Sequence, residues 1–283
     1  MNSEPWPAPA KLNLFLHITG RRPDGYHSLQ TVFQFLDFGD SLRFETRRDS
    51  GLRRVNPVAD LPENSDICLR AARLLQQSSG TKRGVDIYLE KRIPMGGGLG
   101  GGSSDAATTL LALNRLWGLD YGLDKLVVLG LQLGADVPVF VQGRSAWGEG
   151  VGEQLQFIEL PEAWYLVIAP PVQVSTAEIF NAPDLTRNCP PITIRDFLTG
   201  HGRNVCEPVV RQRYPAVDRT LTWLAQYTEA RMTGTGACVF GRFRTESEAR
   251  AVLELHGKDP GGVAFVAKGL SRSPLLQAYG DPI

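Results

Sequence analysis

The sequence predicts a protein of the α+β class with two domains. Segments with strand and helix patterns follow one another irregularly, without the repeated strand–helix–strand units of a doubly wound sheet. The 283 residues, 42% of them hydrophobic and 21% charged, suffice for two ordinary domains with buried cores. A new strand is predicted at residues 164–169, after a loop rich in glycine, glutamate and proline. We therefore place the boundary near residue 160, which gives domains 1–160 and 161–283.

Short segments with alternating or continuous apolar residues predict the strands. In the first domain they span residues 11–18, 29–38, 41–46 and 85–90, and the second domain adds 164–169, 237–243 and 263–268. Residues 37–40 are predicted to form the turn between the second and third strands. Residues 137–141, with the sequence VPVFV, are also predicted to be extended.

Apolar residues at helical spacing predict the helices. The first follows the polar residues 64–66 (Asn-Ser-Asp), which can cap its N-terminus. The second begins at Ser103 or Ser104 and ends at Gly118, because glycine commonly ends a helix. The others are predicted at residues 123–133, 216–227 and 246–256.

Charge, cysteine content and hydropathy exclude several classes of function. Thirty basic residues balance thirty acidic ones, so we expect neither nucleic acid nor a membrane surface as a partner. The first nine residues hold three prolines and no apolar run, unlike a signal peptide, and no segment approaches the roughly 18 apolar residues of a membrane span. The scattered cysteines lack zinc-site spacing and predict reduced thiols and a cytoplasmic location. We expect a monomer or a weak homodimer.

A glycine-rich loop between a predicted strand and a predicted helix is the most informative segment. Six of the seven residues 96–102 are glycine, which costs conformational entropy and implies a need for backbone without Cβ atoms. Backbone N–H groups and the positive end of a helix meet there, an arrangement that binds phosphate. The alternative is a flexible linker. The predicted phosphate-binding residues are Pro94, Met95, Gly96, Gly97, Gly98, Leu99, Gly100, Gly101, Gly102, Ser103 and Ser104.

Other phosphate motifs fit this sequence less well. The Gly-Lys pair at residues 257–258 is followed by Asp259, not by the serine or threonine of a P-loop. Gly96, Gly98 and Gly101 satisfy G-x-G-x-x-G, but the second strand and acidic residue of a dinucleotide site are missing. The triplet Asp-Phe-Gly at residues 37–39 precedes the glycine loop, and no H-R-D catalytic loop accompanies it.

Two charged residues are candidates for chemistry. Lys11 begins a predicted strand, where a lysine is most often solvated. Asp136 lies in a tight, mostly apolar stretch, where its carboxylate either caps backbone N–H groups or accepts the proton of an alcohol. Phosphoryl transfer to a hydroxyl benefits from such a carboxylate and from a nearby cation. A glycine-rich phosphate loop together with such a pair would suit phosphoryl transfer to a hydroxyl, and the structural alternatives stay open at this point.

Two glycine-containing turns complete the set of candidate segments. Residues 24–27 (Asp-Gly-Tyr-His) present an aromatic ring beside an imidazole, either as a surface loop or as a binding element. Residues 233–237 (Thr-Gly-Thr-Gly-Ala) form a bare hairpin or close the phosphate site from the second domain.

Taken together, four motifs resemble the GHMP kinases, the family that includes galactokinase, homoserine kinase and mevalonate kinase. The resemblance covers essentially the whole chain. The motifs are PAKLNLFLHITGRRPDGYH at residues 9–27, PMGGGLGGGSSDAA at 94–107, LGADVPVF at 133–140 and TGTGACVF at 233–240. The first motif distinguishes the branch of the family to which the similarity is strongest.

The resemblance implies a fold and a reaction. The first domain would resemble domain 2 of ribosomal protein S5, the second would be ferredoxin-like, and the active site would lie between them. The reaction implied is transfer of the γ-phosphate of ATP, with Mg²⁺, to the 2-hydroxyl of 4-CDP-2-C-methyl-D-erythritol, a step in non-mevalonate isoprenoid synthesis. A kinase for homoserine or mevalonate and a catalytically silent nucleotide-binding protein remain alternatives.

The resemblance also implies roles for single residues. Asp136 matches the catalytic base and Lys11 the cation paired with it. Asp66 matches an adenine-pocket position where the family usually has asparagine, which is a departure from the pattern. No residue is identified as the magnesium ligand.

The remaining roles implied by the resemblance concern the phosphate acceptor. Tyr26 and Phe180 match the two rings that sandwich cytosine, and His27 matches the side chain that hydrogen-bonds to its edge. Asn13 matches a polar contact near the methylerythritol. These residues are the predicted substrate-binding set.

Overall fold

A long antiparallel pair of strands organises the protein. The computed structural model describes residues 4–56, 65–257 and 262–279. The strands are β1 (Trp6–Arg21), β2 (His27–Arg47), β3 (Leu52–Arg54), β4 (Gly84–Glu90), β5 (Ala146–Glu149), β6 (Gln154–Phe157), β7 (Trp164–Ala169), β8 (Ala230–Met232), β9 (Val239–Phe243) and β10 (Val263–Leu270). The helices are α1 (Ile67–Ser79), α2 (Gly101–Trp117), α3 (Leu123–Leu131), α4 (Val137–Gln142), α5 (Thr176–Asn181), α6 (Ile194–Leu198), α7 (Glu207–Arg213), α8 (Pro215–Leu224), α9 (Glu246–His256) and α10 (Pro274–Tyr279).

The strands join into a continuous mixed sheet in the order β3-β4-β2-β10-β7-β9-β8, with β1 and β5 also paired to β2, and β6 to β5. The β3 and β4 pair is parallel, and the other pairs are antiparallel. Strand β10 connects the two halves, because Gly269 and Leu270 pair with β2 whereas residues 263–268 pair with β7. The domain boundary near residue 160 stays a prediction; β7 begins at Trp164.

Two main cores lie on this sheet. In the first half, helices α1 to α4 pack on β1, β2 and β4 through residues such as Leu75, Leu110 and Phe140. In the second half, α5, α7 and α8 pack on β7 and β9 around Ile179, Val210 and Leu221. The long helix α2 is buried along most of its length. This burial fixes its N-terminus, and with it the end of the glycine loop.

Most elements predicted from periodicity are confirmed. The predicted strand at 164–169 and helix at 246–256 have the observed bounds of β7 and α9. Asp66 caps α1, while Asn64 lies outside the described residues. Helix α2 begins two residues before Ser103 and ends at Gly118, whose φ of +66° only glycine adopts readily.

The turn predicted at residues 37–40 is wrong, because β2 runs through it without a break. Two contacts explain why turn-forming residues occur in a strand. A Cβ on Gly39 would lie 2.4 Å from the carbonyl oxygen of Ala8 in β1, so only glycine allows this approach. The Asp40 carboxylate accepts hydrogen bonds from the N–H groups of Arg92 and Ile93, at 2.6 and 2.7 Å.

The extended segment predicted at residues 137–141 is also wrong, because these residues form helix α4. All five are buried, with Pro138 in the first turn, where the missing N–H carries no cost. A short apolar run is compatible with a buried strand or a buried helix, and periodicity does not separate the two.

Two further observations concern the described residues as a whole. Within residues 4–56, 65–257 and 262–279, none of the helices combines the length and apolarity needed to cross a bilayer. The cysteines Cys68, Cys189, Cys206 and Cys238 are buried and free, as the predicted reduced thiols require.

Candidate active site

A cavity of about 810 Å³ brings the four sequence motifs together. Its wall includes the turn between β1 and β2, the loop before α2, the residues before α4 and the turn between β8 and β9. Every predicted site residue lines it except Ser104, which is fully buried within α2. Those lining it are Lys11, Asn13, Tyr26, His27, Asp66, Pro94, Met95, Gly96, Gly97, Gly98, Leu99, Gly100, Gly101, Gly102, Ser103, Asp136 and Phe180.

The glycine loop packs tightly against the second glycine turn. The carbonyl oxygens of Gly96 and Gly97 accept hydrogen bonds from the N–H groups of Ala237 and Cys238, at 3.3 and 3.0 Å. Gly98 has a φ of +78°, and a Cβ on it would lie 2.3 Å from the carbonyl oxygen of Thr233. Glycine is therefore required at 98 by packing and by backbone conformation. The turn at 233–237 is not a bare hairpin, because it closes on this loop.

The loop ends where α2 begins, with Gly101, Gly102 and Ser103 on the cavity wall. The N-cap residue, Gly100, has no side chain to bond the first N–H groups of this helix of 17 residues. Unpaired N–H groups and the helix dipole together favour an anion at this position. The arrangement suits the phosphates of a nucleotide.

Lys11 is buried beside the loop and is not a solvated lysine. It is 2% exposed, and its Nζ lies 3.2 Å from Oδ2 of Asp136. The same ammonium donates to the carbonyl oxygen of Gly98 at 3.0 Å and to Oδ1 of Asn13. Three acceptors therefore hold the cation in one place on the cavity wall.

Asp136 is free to act on a ligand as well as on Lys11. It precedes α4 as the N-cap residue, yet its side chain makes no capping hydrogen bond, so the capping alternative is wrong. One third of the side chain is exposed, compared with 3% for that of Lys11. A carboxylate with an open side, next to a fixed ammonium, can accept a proton from a hydroxyl that enters the cavity.

Asn13 connects this pair to the neighbouring elements. Its Nδ2 donates to Oγ1 of Thr31 in β2 at 2.9 Å, and its backbone N–H donates to Oγ1 of Thr233 at 2.9 Å. With Oδ1 bonded to Lys11, the Asn13 amide is oriented with its oxygen toward the ammonium. Asn13 thus helps to position Lys11.

Part of the cavity wall, called the aromatic end here, carries the rings of Tyr26, His27 and Phe180. Tyr26 is 63% exposed, in a turn where the Asp24 carboxylate accepts from its backbone N–H at 3.1 Å. The ring parallel to Phe180 is that of His27, with centroids 5.3 Å apart and an interplanar angle of 18°. Burial, and then the cations of Arg187 and Arg21, lower the pKa of His27, so its imidazole is neutral near pH 7.

Asp66 lines the cavity with a carboxylate that is already bonded. It accepts from the N–H groups of Cys68 and Leu69 at 2.8 and 3.2 Å, and pairs with Arg54 at 2.7 Å. Arg54 also lines the cavity, and its Nε and Nη1 are buried without a hydrogen-bond partner among the described residues. Sequence reasoning missed Arg54, because it follows no motif and its partner is distant in the chain.

A second cluster missed from the sequence supports the glycine loop. Nζ of Lys91 lies 2.5 Å from Oδ2 of Asp40 and 2.9 Å from Oδ2 of Asp105. Burial raises the pKa of Asp105 to about 7, because one ammonium offsets only part of the cost of placing two carboxylates there. Lys91 lines the cavity and lies just before the glycine loop in the sequence. This position next to the motif is the signal by which sequence analysis could have identified it. Within the described ranges, no three His, Cys, Asp or Glu side chains group to hold a metal ion.

Sequence comparisons identify relatives over nearly the whole chain. Residues 66–144 match the GHMP kinases N terminal domain, and residues 191–256 match the GHMP kinases C terminal domain. A protein of Nitrosococcus oceani named 4-diphosphocytidyl-2-C-methyl-D-erythritol kinase is 56% identical over 271 residues, which are 96% of each chain. One of the same name from Pseudomonas paraeruginosa is 58% identical over 272 residues, 95% of each chain.

Solved structures agree with the sequence comparisons. A 4-(cytidine 5'-diphospho)-2C-methyl-D-erythritol kinase superposes with a TM-score of 0.80 at 33% identity, over 94% of this chain and 99% of that one. The mevalonate kinase of Methanococcus jannaschii, with a TM-score of 0.69 at 16% identity over 94% and 98%, shares the fold. The profile matches and the extensive identity lead to one assignment. The chain belongs to the GHMP kinase family.

Proposed function

We propose that the protein transfers the γ-phosphate of ATP to the 2-hydroxyl of 4-CDP-2-C-methyl-D-erythritol, giving the 2-phosphate and ADP. The observation that carries the proposal is that one cavity is lined by the glycine loop, the Lys11 and Asp136 pair and the aromatic end. The relatives named for this substrate cover nearly the full length of the chain. Domains 1–160 and 161–283 are proposed to contribute the two sides of the site.

Asp136 and Lys11 would perform the chemistry. Phosphoryl transfer depends mainly on positioning and on stabilisation of charge, with a carboxylate to take the proton of the acceptor hydroxyl. Asp136 has the open side for that hydroxyl, and the Lys11 ammonium 3.2 Å away stabilises negative charge that develops on the attacking oxygen. Because Lys11 is held by three acceptors, little reorganisation is needed during the reaction.

ATP would lie along the glycine loop with its phosphates at the N-terminus of α2. Mg²⁺ in kinase sites is usually held by the phosphates together with one or two protein oxygens. Ser103 fits this requirement, since it carries a hydroxyl and lies on the cavity wall, and it would hold the ion. When bound, Mg²⁺ neutralises charge on the transferred phosphoryl group. Asp66 stays the proposed adenine-pocket residue, acting through its ion pair with Arg54.

The aromatic end would bind the cytidine portion of the acceptor. Tyr26 is exposed and able to close over a base, while Phe180 and His27 already form a stacked pair on the cavity wall. Stacking on such rings binds any base, and hydrogen bonds to the base edge then select one. His27 is the proposed edge reader, and Asn13 the proposed contact near the methylerythritol.

Release of ADP measured with each acceptor tests the proposal. We expect turnover with 4-CDP-2-C-methyl-D-erythritol and none above background with homoserine or mevalonate. The reverse preference would move the protein to another branch of the family. ATP-dependent thermal stabilisation without turnover on any of the three would identify a silent nucleotide-binding protein. A monomeric or weakly dimeric state stays a prediction, which light scattering of the full chain tests.

A further inference from the structure

Arg187 contacts both members of the stacked ring pair at the cavity. Its Nη2 donates to the carbonyl oxygens of Phe180 and Ala182, at 2.8 and 2.7 Å, and its Nη1 donates to that of Leu185 at 3.1 Å. Its Nε donates to Nε2 of His27 at 3.2 Å. One guanidinium therefore donates to the carbonyl groups of the segment that carries Phe180, and also to the imidazole that is stacked on the Phe180 ring.

The bond from Arg187 determines where His27 carries its proton. A guanidinium has N–H donors and no acceptor, so Nε2 of His27 must accept with its lone pair. In a neutral imidazole the single proton is then on Nδ1, because the hydrogen bond at one nitrogen sets the tautomer. With Nε2 bonded to Arg187, Nδ1–H is the polar atom of the ring that remains for a ligand in the cavity.

A fixed N–H donor distinguishes cytosine from uracil. The middle atom of the pairing edge, N3, is an acceptor in cytosine, whereas in uracil it carries a hydrogen. An Nδ1–H group can therefore donate to cytosine but meets another donor in uracil, and a buried donor left unpaired is costly. A histidine free to move its proton to Nε2 would present an acceptor at Nδ1 and would suit uracil instead.

We propose that Arg187 is a positioning residue that fixes His27 as an Nδ1–H donor and thereby sets a preference for cytosine over uracil in the acceptor's nucleotide. The proposal rests on the proposed function, since it concerns the same substrate. Arg187 acts only through His27 and does not touch the reacting atoms.

The tautomer is tested directly by nitrogen-15 NMR of the full-length protein without ligand. The chain has four histidines, and the His27 signals are assigned by their loss in His27→Gln. Wild type should show a protonated Nδ1 and a bare Nε2. Arg187→Met, which removes the donors but keeps an unbranched side chain, should shift the proton toward Nε2. A wild-type ring protonated at Nε2, or a tautomer unchanged in Arg187→Met, overturns the proposal.

Base selectivity is the second readout, measured as the ratio of kcat/KM for the cytidine acceptor to that for its uridine analogue. Arg187→Met should lower this ratio about tenfold, the effect of one hydrogen bond to a base edge. Arg187→Lys, which keeps a cationic donor, should retain part of the wild-type ratio of kcat/KM values. In a His27→Ala background Arg187→Met should change the ratio no further, because the two residues act as one unit.

The controls separate this proposal from a purely structural role. If Arg187→Met lowers kcat/KM by the same factor for both acceptors, the arginine only holds its own segment in place and the proposal is wrong. If that variant does not fold, the wild-type spectrum and Arg187→Lys decide. If wild type fails to turn over the cytidine acceptor, the proposed function falls and the inferred selectivity with it, while the spectrum still reports the tautomer.

Discussion

Replacing Asp136 with asparagine tests the chemical centre of the site. The amide keeps the size of the side chain and an oxygen that can accept from Lys11, but it no longer accepts a proton from a hydroxyl. General-base assistance contributes roughly 10²–10⁴ in rate, so kcat should fall by that factor, equivalent to about 3–5 kcal/mol in activation free energy. ATP binding should persist, because the glycine loop is unchanged.

Stability should change much less than turnover. Asp136 is one third exposed and Lys11 keeps two other acceptors, so we expect the loss of this ion pair to cost about 0–1 kcal/mol. The free energy of unfolding in urea should therefore fall by no more than about 1 kcal/mol. Because the free energy of unfolding changes so little, a large fall in kcat cannot be explained by unfolding of the variant.

The assay is ADP release at saturating ATP and acceptor, with thermal stabilisation by ATP measured in parallel. Asp124→Asn is the matched control, because it makes the same chemical change at an exposed position in α3 and should keep full turnover. An Asp136→Asn enzyme with turnover within threefold of wild type would refute the assignment of the base. Loss of ATP binding in that variant would instead place Asp136 among the nucleotide contacts.

Three further predictions concern the loop, the aromatic end and the buried charges. Gly98→Ala should abolish thermal stabilisation by ATP and Mg²⁺, since its Cβ would lie 2.3 Å from the Thr233 carbonyl oxygen at a φ of +78°. The control Gly122→Ala, which has open space around its Cβ, should keep the thermal stabilisation. An undiminished increase in melting temperature with Gly98→Ala would mean that the phosphates bind elsewhere. Tyr26→Ala should raise the KM of the cytidine acceptor about tenfold, the value of one stacked base, with the KM of ATP unchanged; the opposite pattern would assign the turn to ATP. Burial raises the pKa of Asp105 to about 7, above its usual 3.8, so the folded state binds more protons between these pH values and stability falls as pH rises through that window. Asp105→Asn should remove this fall in urea unfolding compared at pH 5 and pH 8, and an unchanged difference between the two pH values would show that another group is responsible.

The local sequence predicted a helix or strand correctly where all the features that define it lie within one segment. Helix α9 has its capping threonine, acidic first turn and helical spacing within one segment, and its bounds were predicted correctly. The predicted turn at 37–40 and the extended segment at 137–141 were wrong for a common reason. Gly39 and Asp40 occur in a strand because of their contacts with Ala8 and Arg92. Helix α4 is apolar because residues 137–141 are all buried. Such contacts join segments far apart in the chain and override local preference.

The sequence by itself predicted a phosphate-binding loop and named the candidate residues, because a glycine-rich loop between a strand and a helix is a local signal. Only the tertiary structure decided what those candidates do together. Burial and three acceptors make Lys11 a fixed cation, while Asp136 has an open side and caps nothing. His27 presents one tautomer because Arg187 folds back onto it. Protonation, orientation and pairing depend on neighbours that the fold brings together, and those neighbours are not encoded by spacing along the chain.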